Sequence, residues 1–257
     1  MEPQGPCHAT GPQQHPLAFI AFGRRGCRPP GGPRPGHPTP RWGNEAVKEI
    51  DHFMYAGRDM DGLAAQFRAL TGIETEPGGA HPGMGTRNHL VGTHTDVYLE
   101  LIAPDTAQPD SSPLREAFEA MRRPQLHRFI ARCRSDEFPA LQRAYADAGI
   151  DAPVRDMQRV TTTGEVLSWR LMVPDPTNPL GVFAPFFIDW LQTPHPSTRL
   201  RQACGIAAVA AGHPDAGRVG ALWQALGIGL PLAQADAPYL HVSFDTPRGI
   251  VVLTSAD

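Results

Sequence analysis

Cysteine is scarce in this chain. Cys7, Cys27, Cys133 and Cys204 are the four in 257 residues, and no two stand in a C-x-x-C pair. That spacing argues against a disulfide scaffold and a zinc–thiolate site, and it fits a reducing compartment, so a cytoplasmic protein is expected. Long apolar runs are lacking as well. The run Leu17 to Phe22 is shorter than a signal peptide's apolar core, its arginines follow rather than precede it, and no stretch is long enough to span a membrane. No Gly-x-Ser-x-Gly elbow, phosphate loop or H-E-x-x-H motif occurs, which argues against the common hydrolase, nucleotide-binding and metalloprotease readings. Positive charge is also short once the N-terminal stretch is set aside. Residues 1–43 hold five Arg and one Glu of the chain's 23 basic and 26 acidic residues, leaving 18 against 25 beyond it. An acidic domain without a basic stripe is a poor nucleic-acid binder, so neither nucleic acid nor membrane is an expected partner.

What residues 1–43 do have is 8 Gly and 10 Pro. Such a composition buries too little apolar surface to offset its ordering entropy, and a disordered tail is expected there. The remainder is long enough for one large core or two small ones.

That remainder repeats itself. EIDHFMYAG (49–57) reads as a strand, and 59–71 as a helix with Leu63, Phe67 and Leu70 on one face, ending at Gly72-Ile73. LHRFIARC (126–133) and a helix over 135–148 end likewise at Gly149-Ile150; GIAAVAA (205–211) and a helix over 215–226 end at Gly227-Ile228. Glycine just past a helix is the usual left-handed cap, and each stop is followed by strand-like segments. The unit is therefore βαβββ, written three times.

The stretch HPGMGTRNHLVGTHTDVYLELIAP (81–104) reads as a glycine-punctuated loop and a hairpin. Glu100 sits inside its second strand between Leu99 and Leu101. A carboxylate in such a run is costly to bury unless a metal ion, a proton or a hydrogen-bond donor meets it. An outward-facing Glu on a half-exposed strand is the competing reading.

The paired units, the opening IDHFMYA, the loop HPGMGTRN, the strand YLELIAP and the later FFIDWLQTPHP resemble the glyoxalase-like domain family of the vicinal oxygen chelate superfamily. The resemblance implies an α+β fold in which two βαβββ modules, 49–104 and 126–191 within a domain 44–195, form a half-open eight-stranded barrel. The stretch 200–257 is expected as a third, degenerate βαβββ unit packed outside it or at a homodimer contact. The superfamily's usual ligands come from the first and last strand of each module. Aligning YLELI with FIDWL sets Glu100 on Asp189, so the resemblance implies a divalent-metal site of His52, Glu100, His127 and Asp189. Zn, Mn, Ni or Fe would suit that set, although the superfamily also includes metal-free binding proteins. The third unit, closing with IVVLTS, has no carboxylate at this place, which favours function over strand habit. His127 is the weakest of the four, because counting back from the glycine stop sets Phe129 opposite His52.

Arg87 and Asn88 are candidates to hold a substrate carboxylate or enolate oxygen, and Trp190 and His195 to cover it. His81 and His89 read as loop packing. The expected activity is a lyase or isomerase acting on a small oxygenated molecule through a metal-bound enediolate, with Glu100 or Asp189 as general base. Extradiol-type dioxygenation and metal-free small-molecule binding are the alternatives.

Overall fold

Aromatic and branched side chains make IDHFMYA a strand, β1 (Ile50–Ala56), and all but its first residue are buried. The computed structural model describes residues 47–161 and 163–255, so the tail expected over 1–43 lies outside the described residues. Helix α1 (Met60–Thr71) starts at Asp59, whose carboxylate accepts from the Gly62 N–H, and sinks Leu63 and Phe67 into the core. Gly72 closes it at φ 75°, and Gly149 and Gly227 repeat that left-handed turn at φ 75° and 71°. Strands β2 (Glu76–His81), β3 (Thr86–Thr93) and β4 (Tyr98–Pro104) complete the first module.

Helix α2 (Pro113–Glu119) follows, an element that the sequence reading did not expect, although Ser112-Pro113 is a common cap and first-turn pair. The second module is β5 (Gln125–Arg132), α3 (Phe138–Asp147), β6 (Val154–Val160), β7 (Val166–Met172) and β8 (Phe186–Asp189). Within each module the first strand runs parallel to the last, β1 beside β4 and β5 beside β8, and β1 joins β5 antiparallel. The eight strands run β2-β3-β4-β1-β5-β8-β7-β6. The sheet curls until its ends nearly meet: a Cβ on Gly79 of β2 would lie 3.0 Å from the Val160 carbonyl oxygen of β6. No ladder joins these two edges among the described residues, which leaves the cup half-open.

The C-terminal stretch holds β9 (Gln202–His213), α4 (Ala216–Ala225), β10 (Leu232–Gln234), β11 (Tyr239–Thr246) and β12 (Gly249–Thr254). Its element order is βαβββ but its wiring is not that of a module. Strand β9 lies antiparallel to β11, β12 pairs with β11 alone, and β10 runs parallel to the end of β9. The expected βαβββ order is present in this stretch, but its strands are not paired as they are in the two modules. At twelve residues, β9 is long enough to take β10 at one end and the tip of β3 at the other, through Gly92 and Thr93.

Two apolar clusters result. One runs through the whole molecule, from Phe53 and Phe67 to Phe129, Trp223 and Phe244. The other lines the hollow of the cup with Met54, Ile102, Ile130, Trp169, Phe186 and Ile188.

Candidate functional site

The hollow is walled mainly by apolar side chains, and its polar groups include His52 from β1, His81 from β2, Asn88 from β3, Tyr98 and Glu100 from β4, with Arg159 facing them from β6 of the second module. Glu100 lies in an all-buried strand and faces this hollow. Its Oε1 accepts from Asn88 Nδ2 at 2.6 Å, and its Oε2 lies 3.5 Å from His52 Nε2. His81 Nε2 stands 3.9 Å from Oε1, on the far side of the same carboxylate. Burial alone would raise the pKa of Glu100, but the hydrogen bond and charge of His52, with His81 and Asn88, hold it down to about 2.

His52 is itself held from behind. Its Nδ1 donates to Asp51 Oδ1 at 2.7 Å, and its ring stacks on Tyr98 with centroids 4.5 Å apart. Asp51 is fully buried, and its Oδ2 accepts from Arg132 Nε (3.0 Å), His195 Nε2 (3.0 Å) and Trp190 Nε1 (3.1 Å). Neighbouring residues of a strand normally point to opposite faces. Asp51 escapes that rule because the β1–β5 register jumps there: Ile50 pairs with Ala131 and His52 with Ile130, leaving Asp51 as the extra residue of a bulge. Burial presses the His52 pKa down, but Asp51 and Glu100 outweigh it and raise it to about 9. At His81 burial prevails, helped by the charge of Arg159 against that of Glu100, and the pKa falls. His81 Nδ1 meets Thr86 Oγ1 at 3.0 Å, which leaves Nε2 for the cavity side.

The sequence-derived candidates divide. His52, Glu100 and Asn88 come together as one cluster. Trp190 lines the hollow and, with His195, holds Asp51. Arg87 is exposed, on the opposite side of β3 from Asn88, and does not line the cavity.

His127 and Asp189 are corrected. Strand β1 pairs β4 as His52↔Tyr98 and Met54↔Glu100, while β5 pairs β8 as Ile130↔Phe186 and Arg132↔Ile188. Superposing these parallel pairs sets Ile130 in the place of His52 and Ile188 in that of Glu100. Aligning Glu100 with Asp189 is thus one residue out, and one residue on a strand exchanges its faces. Asp189 ends β8 outside the hollow, accepting from Ser135 Oγ at 2.6 Å and from the Leu191 N–H. His127 is skipped in the β1–β5 register and packs edge-on against Phe118 of α2, with ring centroids 5.1 Å apart; desolvation and Arg128 lower its pKa to about 3.

The donor set therefore does not fit the four-ligand metal centre. Two of its four places hold Ile130 and Ile188, and no three His, Cys, Asp or Glu side chains form a metal-holding group among the described residues. The residues that sequence reasoning missed are Asp51, His81 and Arg159. The first stands beside a candidate in IDH, the second was assigned to loop packing, and the third carries no motif at all.

An eight-stranded, half-open cup of paired βαβββ modules is the architecture of the vicinal oxygen chelate superfamily. Residues 50–227 match the family model described as a glyoxalase-like domain, and the chain belongs to that family. Among solved structures it is similar to a hypothetical protein from Staphylococcus aureus, at 13% identity over 82% of this chain and 86% of that one, with a TM-score of 0.51. Methylmalonyl-CoA epimerase structures also match. One from Streptomyces coelicolor is 21% identical over 59% of this chain and 100% of its own, TM-score 0.41; one from Mycobacterium tuberculosis is 16% identical over 57% and 89%, TM-score 0.37. These likenesses are of fold. No curated protein matches the sequence. No helix among the described residues is long and apolar enough to cross a membrane.

Proposed function

We propose that this protein is an isomerase- or lyase-type enzyme that moves a proton beside a carbonyl group on a small, mostly apolar substrate. One observation carries the reading: two imidazoles flank a single carboxylate in an apolar hollow, and their surroundings push them apart, His52 up to about 9 and His81 down. Such a split marks an acid and a base. At neutral pH His81 is uncharged. In the tautomer that donates Nδ1–H to Thr86 Oγ1, its Nε2 is free to take a proton from carbon. His52 is charged, and its Nε2–H, 3.5 Å from Glu100, has room to meet the oxygen on which enolate charge develops. Glu100, held at about 2, is too weak a base for carbon and instead steadies whichever imidazole carries the proton. This replaces the expected enediolate on a metal with charge stabilisation by the protonated His52.

Hydrogen–deuterium exchange at C3 of phenylpyruvate, followed by proton NMR in D2O, tests the reading. Wild type is expected to accelerate exchange, and His81→Gln to lose about 100-fold of that acceleration. The rate should climb as pH rises through the lowered His81 pKa, then fall above about 9 as His52 loses its proton. Binding without any acceleration would favour the small-molecule binding alternative, which the apolar lining also suits.

A further inference from the structure

Among the described residues lining the hollow, Arg159 is the one charged group that this mechanism does not use. It lies on β6, is 6% exposed, and is the only Arg or Lys among the cavity-lining residues. Its Nη1 donates to Asn88 Oδ1 at 3.2 Å across the seam of the cup. That acceptor is neutral, and among the described residues no carboxylate forms an ion pair with it. Glu100 is already committed to Asn88 and His52, and Asp51 to His52, His195, Arg132 and Trp190. A buried guanidinium whose nearest negative charge, Glu100, acts on it only through space and through Asn88 is costly.

The fold makes room for it deliberately. On the facing strand β2, a Cβ at Gly78 would lie 2.4 Å from Arg159 Nη1 and 2.1 Å from Asn88 Oδ1, and a Cβ at Gly79 would lie 3.1 Å from Arg159 Cδ. Glycine in a strand marks a close approach by another group, and here the group is this guanidinium. The Gly-Gly of EPGGAH is therefore the gap through which Arg159 enters.

We propose that Arg159 is the receptor for a carboxylate on the substrate, so that the ligand class is a small carboxylic acid with a planar apolar body. The flat fork of a guanidinium matches a carboxylate through two parallel hydrogen bonds. A single cation beside an amide suits a monoanion better than a phosphate dianion. The body would lie against Trp169 and Trp190, whose rings stand 5.3 Å apart, with Met54, Met157 and Phe186 around them. Arg159 thereby does what the sequence suggested for Arg87: the chemistry was legible, but the residue was not.

The inference rests on the hollow being the substrate site, as in the reading above, but not on proton transfer there. Calorimetric titration of the full chain with phenylpyruvate, its methyl ester and phenyl phosphate tests it. Wild type should prefer the acid to the ester by at least about ten-fold, and Arg159→Met should abolish that preference while binding the ester unchanged. Gly78→Ala keeps the charge but obstructs the guanidinium, and should weaken the acid alone, which guards against a misfolded Arg159→Met. Equal binding of acid and ester by wild type, an unaltered preference in Arg159→Met, tighter binding of phenyl phosphate, or no binding of any of the three would overturn the proposal. Arg159-dependent binding without deuterium exchange would sink the proton-transfer reading alone. Exchange of acid and ester at equal rates and affinities would sink this one alone.

Discussion

At the scale of single residues, Asp51 decides how His52 behaves. A carboxylate with no exposure that receives donors from four side chains is paired so fully that removing its charge leaves the buried His52 with Glu100 as its one remaining carboxylate, while Arg132 keeps Glu49 and Asp96. Asp51→Asn is therefore expected to cost about 3–5 kcal/mol, the usual penalty for breaking a buried pair from one side. Proton NMR of the His52 ring should also show its pKa falling from about 9 towards the ordinary 6.5. A stable variant with an unmoved His52 titration would refute this. The same pair governs stability against pH. The folded pKa of His52 lies above the ordinary histidine value of 6.5, so its contribution is complete below 6.5 and drains away as pH rises through about 9. The folded pKa of Glu100 lies below 4.5, so its contribution is present above 4.5 and is lost as pH falls through about 2. His127 and His81, lowered by burial, withdraw stability as pH falls below the ordinary histidine value, so denaturant midpoints should be highest near pH 6.5, and midpoints that keep climbing from pH 7 to 9 would contradict the assignment. Asp51 was hidden in the sequence because strand alternation places it opposite His52, and only a bulge brings it round.

At the scale of elements, the order of strands and helices was legible because glycine caps punctuate it, whereas the registers were not. Glu100 announced itself by sitting between leucines, yet its partner across the pseudo-symmetry is Ile188, and the adjacent Asp189 drew the alignment one place along. Nothing in FFIDW distinguishes an inward Ile from an inward Asp. Only the pairing with β5 does. The register makes a constructive prediction. Ile130→His together with Ile188→Glu restores the two second-module donors facing His52 and Glu100, and this double variant should bind Co(II) in equal proportion with tetrahedral or five-coordinate absorption bands, far more strongly than wild type. Without metal it should be less stable by several kcal/mol, since two polar groups replace buried isoleucines. A folded double variant with no gain in cobalt affinity would show that the two pairs do not face a common point. Arg159 was illegible for a different reason: a guanidinium on a polar strand, VRDMQRV, gives no sign that two glycines eighty residues earlier open a passage for it.

At the scale of the whole molecule, the stretch beyond residue 200 is bound into the same core as the modules. It continues the sheet through a contact only a few residues long between β3 and β9, where a Cβ on Gly92 would come within 2.6 Å of the Arg201 carbonyl oxygen. The larger attachment is apolar. Trp223 of α4 packs edge-on against Phe129 of β5, ring centroids 5.6 Å apart, and its Nε1–H donates to the Phe183 carbonyl at 2.7 Å. The sequence showed α4 as an amphipathic helix but could not show that its inward face meets the second module rather than its own strands. Since Trp223 is 2% exposed and bonded as well as packed, Trp223→Ala should cost about 3–5 kcal/mol. The consequence of a shared core is sharper than that figure. Phe129 shares β5 with Ile130 of the cavity wall, so the C-terminal stretch and the cup should unfold together, and calorimetry of wild type and variant alike should give one transition with equal calorimetric and van't Hoff enthalpies. If Trp223→Ala instead splits the melt in two, with phenylpyruvate raising only the upper step, the cup is a unit that stands without its C-terminal cover.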